Sequence, residues 1–330
     1  MKRSLKLLPL AAAAILLSST GSASAAAYGY SYDNIFGLAI TPTGSATFAD
    51  TTNISRSTAT LNGVSIINGS TGILDSPQAA LGAVTRGENN FTQQGQGPTS
   101  FSRGDAQIVS TQNPPFPAGS TTTQSVNAAE SFVAGAGSAD ASGRNGSNTG
   151  FTINFVVGAP GASIGFAFSA SPFMQVFLSA MSGAGSSATA NLVEVFTITD
   201  ALGTTVFNWA PDGNVGSGIM GGTESADGAD LNINLSTNTL TAGAIFSYDP
   251  LGCGTPGGTG ISTACGADFA ASTANLVAGN YTLSLNAVES TDLIVSQQVP
   301  EPGTLALLGL GLAGLCVGAR RTSTDAGQAS

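Results

Sequence analysis

The side chains best suited to chemistry are acidic. Asp212, Glu224, Asp227 and Asp230 lie close together in the chain, with Asn214, Asn232 and Asn234 among them. Hard oxygen ligands beside Gly-rich turns suit Ca²⁺, which makes Asp212, Asp227 and Asp230 candidate ligands. Their spacing matches no EF-hand loop, and an acidic surface that keeps the chain in solution accounts for the same residues. Carboxylate pairs also serve glycoside hydrolysis. Acids are too common here for one pair to stand out, so no catalytic residue is assigned.

Two glycine motifs need a context they lack. Gly161-Ala162-Ser163-Ile164-Gly165 has the GxSxG pattern. A nucleophilic serine there needs a strand, a sharp elbow, a helix and a histidine partner. A strand-like run follows instead, and the chain contains no histidine. Gly216-Ser217-Gly218-Ile219-Met220-Gly221 has the GxGxxG pattern, but no strand–helix–strand unit surrounds it, so it reads as a flexible loop. Arg103-Gly104-Asp105 is a tripeptide found in adhesive proteins of animals; three residues recur easily by chance.

Composition narrows the chemistry further. Of 330 residues, only 8% are charged, against about 25% in an ordinary soluble domain. Without histidine there is no Ser-His-Asp triad, Cys-His pair or HExxH zinc site. Between Ala26 and Pro300 there is no lysine and only four arginines, against seventeen carboxylates. That excludes a P-loop or Schiff-base lysine, and such an acidic body repels nucleic-acid backbones.

The elements that would position these residues read as strands. Phe151–Val157, Ser163–Phe168, Leu192–Thr199, Thr204–Trp209, Leu231–Leu235 and Tyr281–Leu285 each carry an alternating or β-rich pattern, separated by Gly, Pro, Asn and Asp. Tyr28–Tyr32 and Ile35–Ile40 also look like strands. The segment near 87–125, with Gln93-Gln94-Gly95-Gln96-Gly97-Pro98 and Pro114-Pro115-Phe116-Pro117, reads as loop-rich. The expected fold is all-β, a jelly-roll-like β-sandwich spanning residues 26–298.

Both ends read as targeting segments. Lys2, Arg3 and Lys6 precede the apolar run Leu7–Leu17 and the small residues Ser18–Ala27, the layout of a secretory signal peptide over residues 1–25. At the other end, an uncharged apolar stretch over 303–319 would span about 25 Å as a helix, near the lower limit for a bilayer core. Arg320 and Arg321 should stay cytoplasmic, ahead of the tail 322–330, with the body on the far side of the inner membrane. Export would carry Cys253 and Cys265 into an oxidising compartment, where a disulfide is expected between them. Cys316 lies in the terminal apolar stretch.

Pro300-Glu301-Pro302, the apolar stretch and the Arg320-Arg321 pair together resemble the PEP-CTERM sorting signal of Gram-negative bacteria, here over 299–321. The resemblance implies processing by the membrane enzyme exosortase, and a host that makes exopolysaccharide. The tail after the arginines is longer than usual for such signals.

Further pieces resemble a group of exosortase-dependent surface proteins: Tyr30-Ser31-Tyr32-Asp33-Asn34-Ile35, Ala129-Glu130, Ile164–Ala170, Phe207–Gly213 and Ala278–Leu283. That resemblance implies a secreted β-sandwich without an assigned activity. The expectation is therefore a non-enzymatic surface or matrix protein associated with extracellular polysaccharide or biofilm, needing no cofactor. Alternatives are a Ca²⁺-dependent carbohydrate-binding or adhesive domain, and a secreted glycan hydrolase.

Overall fold

The computed structural model describes residues 25–71, 74–75, 77–87, 90–110, 123–145, 151–254 and 265–297. The signal peptide up to residue 24, the sorting motif and the terminal helix inferred from sequence lie outside the described residues. Within them every regular element is a strand, and no helix is long and apolar enough to cross a membrane.

In chain order the strands are β1 (Ala26–Leu61), β2 (Val64–Thr71), β3 (Leu74–Asp75), β4 (Gln78–Gly82), β5 (Phe101–Ser110) and β6 (Thr123–Ala134). Next come β7 (Gly137–Asn145), β8 (Phe151–Ala170), β9 (Phe173–Leu178), β10 (Ser187–Asp200), β11 (Thr205–Trp209) and β12 (Ile219–Met220). The last are β13 (Gly222–Asp227), β14 (Asn232–Asn238), β15 (Ile245–Tyr248), β16 (Ala267–Thr273) and β17 (Gly279–Val295). The expected all-β class is what the chain adopts, as a sandwich that merges into a barrel. All ladder pairings between these strands are antiparallel.

Two layers form the sandwich. The front runs β4–β5–β6–β1–β9–β15, using the first third of β1. The back runs β2–β1–β7–β17–β10–β14, using the last third of β1. One strand can serve both layers because it bends. Register shifts break the β1–β8 ladder after Phe36, Gly44 and Phe48, and Gly37 and Gly44 near the first two take φ of 68° and 108°. Extra residues at such bulges turn a strand out of its plane, and glycine carries positive φ without a Cβ penalty.

Beyond the sandwich, β8 pairs with β16 and β17, β16 with β13, and β11 with β10, so the sheet curls around an aromatic core. Phe168 stacks on Phe269 at 4.9 Å between ring centroids and Phe166 on Phe207 at 5.3 Å, while Trp209 packs against Phe196 at 5.3 Å. Each such pair adds about 0.5–1.5 kcal/mol beyond the area it buries.

The segment expected to be loop-rich holds a strand in the middle of the front layer. Phe101–Ser110 pairs on one side with β4 and on the other with β6. Among the described residues of that segment the stretch before this strand is loop, and it presses the fully buried Phe91 onto the outer face of the front layer, among Tyr28, Tyr30, Tyr32, Phe101 and Phe132. The front layer is thus covered on both faces.

Between the layers the filling is small and polar. Ser31 Oγ donates to Asn191 O at 2.7 Å, and the Ser131 and Thr291 hydroxyls meet at 2.9 Å. At β5 and β7 the backbones nearly touch. A Cβ on Gly104 would fall 2.1 Å from Ser142 O, and one on Gly143 would fall 2.1 Å from Asp105 O. The high share of Gly, Ser and Ala therefore has a packing reason: the layers are spaced for side chains that short.

Candidate functional site

The residues singled out from sequence as Ca²⁺ ligands do come together, with one carboxylate oxygen of each engaged by backbone N–H groups, while Asp227 Oδ1 is buried without a hydrogen bond. Asp227 Oδ2 accepts the N–H groups of Asp212, Gly213 and Asn214 at 2.9, 2.9 and 3.1 Å. Asp230 Oδ1 accepts the N–H of Asn232 at 2.8 Å, and Asp212 Oδ1 that of Asn214 at 3.0 Å. Glu224 accepts the Trp209 indole N–H on one oxygen and the Gly216 N–H, at 2.7 Å, on the other. These acids tie the 210–218 loop to β13. The GxGxxG run lies in the same region, where Gly218 packs under Ala210 O and Gly221 under Val206 O, with no helix after it.

The other sequence motifs also resolve into architecture. Ser163 lies inside β8, so GxSxG forms no elbow. The Arg103-Gly104-Asp105 tripeptide is sealed: Arg103 and Asp105 are each 1% exposed and form an ion pair at 3.3 Å. An adhesive use of the tripeptide would need an exposed loop. Cys253 and Cys265 form a disulfide, with Cα atoms 5.9 Å apart.

Around Arg103 lies the first of two buried charged clusters. Its Nε and Nη2 both donate to Glu130 Oε2, at 2.9 and 2.7 Å. Nη1 donates to Asn90 O at 2.6 Å and Nη2 to Thr92 O at 2.7 Å. Glu130 also accepts the Tyr28 hydroxyl at 2.7 Å, and the Gln94 and Gly95 N–H groups at 3.0 and 2.7 Å. Tyr30 donates to Phe91 O. The cluster is a clasp holding the 90–95 loop on the front layer. Burial, and after it the charge of Glu130, raises both tyrosines well above their ordinary range.

A second cluster was missed by sequence reasoning. Asp33 on β1 projects from the front layer, and Glu194 on β10 and Glu289 on β17 from the back. One carboxylate oxygen from each lies within 4.8 Å of the others, and all three residues are at most 1% exposed. No other such trio of His, Cys, Asp or Glu exists among the described residues. Asp33 Oδ1 accepts the Ser171 N–H at 3.1 Å. Asp33 Oδ2, Glu194 Oε2 and both oxygens of Glu289 accept no hydrogen bond of normal geometry. Asn127, the register partner of Asp33 on β6, lies beside Glu289 and leaves its own Oδ1 unpartnered.

Electrostatics there follow from burial. Burial pushes the Asp33 carboxyl up to about 7, against the pull of the Asn34 and Ser171 amides. Glu194 and Glu289 are held well above the carboxylate range by burial first, and then by the neighbouring acids. No lysine or arginine is among the groups that act on the three.

A signal for this cluster does exist in the sequence. In β10 the buried phase runs Ala188, Ala190, Leu192, Glu194, Phe196, Ile198, and in β17 Leu283, Leu285, Ala287, Glu289, Thr291, Leu293. A carboxylate in the apolar phase of an alternating strand is the mark.

Comparison with known proteins places the terminus. Residues 298–321 match the family model of the PEP-CTERM protein-sorting motif. The chain therefore carries the C-terminal sorting signal of exosortase substrates, and with it the hallmark of an exported protein whose precursor is held at the membrane. No curated protein matches the chain. Among solved structures, that of infectious bursal disease virus Gt strain aligns over 87% of this chain and 85% of that one, at 11% identity and a TM-score of 0.09. A likeness that slight carries no argument.

Proposed function

We propose that the mature chain is a non-enzymatic component of the cell surface or extracellular matrix, associated with exopolysaccharide. The observation that carries this reading is the sorting motif at 298–321, which directs an exported body to exosortase. The body's surface chemistry supports it. A depression of about 200 Å³ is lined by Asn154, Phe155, Val156, Asn280, Tyr281 and Thr282 among others. Amides and a hydroxyl beside aromatic carbon suit a neutral sugar. The outer hairpin strand β2 exposes Ser65 and Asn68 to solvent as well.

A hydrolytic role finds less support. The carboxylates that gather most closely are sealed between two layers, out of reach of a polymer. Glycoside hydrolysis needs its two acids flanking an accessible bond.

Co-sedimentation tests the proposal. The mature protein should pellet with exopolysaccharide isolated from its own host and stay in solution without it. In a strain that makes no exopolysaccharide, it should shift from the matrix fraction to the medium. Unchanged partition in both experiments would remove the polysaccharide role. Release of reducing sugar ends, lost on substitution of one carboxylate, would replace it with a hydrolase.

A further inference from the structure

We propose that Asp33, Glu194 and Glu289, with the Oδ1 of Asn127, form an interlayer binding site for one divalent cation with the chemistry of Ca²⁺. Nothing in the sorting reading requires such a site, and it lies in a different place from the acidic loop around Asp227.

Three observations converge on it. The first is span. Two oxygens on opposite sides of one Ca²⁺ are about 4.8 Å apart, twice a bond of roughly 2.4 Å. The three carboxylates already bring one oxygen each within 4.8 Å of the others. The second is unmet valence. Asp33 Oδ2, Glu194 Oε2 and both Glu289 oxygens accept no hydrogen bond of normal geometry, Asn127 being the side chain that acts on Glu289, and Oδ1 of the 1% exposed Asn127 is itself unpartnered. Asn127 adds no charge, its side chain already hydrogen-bonds Glu289, and its amide group brings a neutral oxygen of the kind Ca²⁺ takes alongside carboxylates. Buried polar atoms are paired in the great majority of cases, so under-paired carboxylate oxygens on three clustered acids, with a further under-paired oxygen on the neighbouring Asn127, call for a partner. The third is charge. Three acids share a buried space with no basic group acting on them, a state that persists only if they are protonated or share a cation.

Oxygen number and burial select among cations. Bidentate carboxylates and one amide oxygen supply the six to eight ligands that Ca²⁺ takes. Mg²⁺ keeps several waters and demands shorter, octahedral bonds, which a sealed interlayer does not favour. The absence of His and Cys from the trio disfavours Zn²⁺ and Cu²⁺. The ion would bind front to back, joining β1 and β6 to β10 and β17 where Ser, Thr and Gly otherwise provide little hydrophobic adhesion.

The test uses the mature protein purified from its producing bacterium without chelator. Elemental analysis should find about one equivalent of calcium per chain, removed by EGTA under mild unfolding. Restoring millimolar CaCl₂ should raise the Tm of the stripped protein by roughly 5–10 °C, as expected for a ligand far above its Kd in a domain of this size. MgCl₂ should give less than half that shift. Glu289→Gln and Asp33→Asn keep shape and remove charge; each should abolish the calcium shift. Should both variants fail to fold, the calcium content and EGTA response of the unaltered protein decide the matter. Absence of stoichiometric calcium together with a Tm indifferent to CaCl₂ would overturn the proposal. A calcium shift that survives in both folded variants would overturn it too, since the ion would then sit elsewhere.

Discussion

Glu130 faces Arg103 directly across the β5–β6 ladder, and one of its oxygens takes two guanidinium donors at 2.9 and 2.7 Å. Both residues are at most 1% exposed. Removing one partner leaves the other charge buried and uncompensated, which costs about 3–5 kcal/mol. Arg103→Met and Glu130→Leu should each show that loss in urea denaturation. The double variant should lose markedly less than the two singles combined, because neither charge is then stranded. Full additivity would mean that the pair does not act as a clasp.

Layer spacing gives a second prediction. Gly104→Ala places a methyl group 2.1 Å from a backbone carbonyl that cannot step aside. Forcing it in should cost about 3 kcal/mol or more, the upper end for overpacking. Gly97→Ala is the control: nothing lies within 4 Å of its Cβ. It should be neutral or stabilising by a few tenths of a kcal/mol. Denaturation midpoints of the two variants decide it.

The disulfide closes a short loop, with Cys253 and Cys265 twelve residues apart. In the chain-entropy account a closure of that length is worth about 3 kcal/mol. A Cys253→Ser, Cys265→Ser protein should melt roughly 6–10 °C lower than the oxidised form. Reduction of the unaltered protein should reproduce most of that fall.

Alkali should unfold the protein through its phenols. Tyr28 and Tyr30 are raised well above their ordinary value near 10, by burial first and then by Glu130. Burial likewise pushes Tyr248 up to about 12. A group with a raised folded value binds its proton more tightly when folded. Its contribution is complete below pH 10 and fades as the pH climbs through the folded value. Tm should therefore fall from pH 10 towards 12, and tyrosinate absorbance should rise in step with loss of the near-ultraviolet circular dichroism signal. Phenols that ionise freely with the fold intact would contradict the buried clasp.

Much of the barrel half was legible in the sequence. The alternation in Phe151–Val157, Leu192–Thr199 and Tyr281–Leu285 falls within β8, β10 and β17, and that in Thr204–Trp209 matches β11 but for its first residue, because those strands bury one apolar face. β5 was hidden, since Arg103 and Asp105 occupy its buried phase and read as loop residues. Pairing across the chain keeps them there, and pairing is invisible in a local window. The Asp33–Glu194–Glu289 trio was hidden for a related reason. Its members come from strands far apart in the chain, and only the closure of the sandwich brings them together. The acids around Asp227 were visible as a group; their role was not, because backbone N–H donors leave no trace in the sequence.

Exosortase processing of the exported chain is tested most directly by intact-mass analysis of the mature protein from strains with and without the exosortase. Processing at the sorting motif of residues 298–321 predicts a product lacking the apolar C-terminal stretch in the first strain, and a longer, membrane-retained precursor in the second. Identical C-terminal masses in the two strains would contradict it.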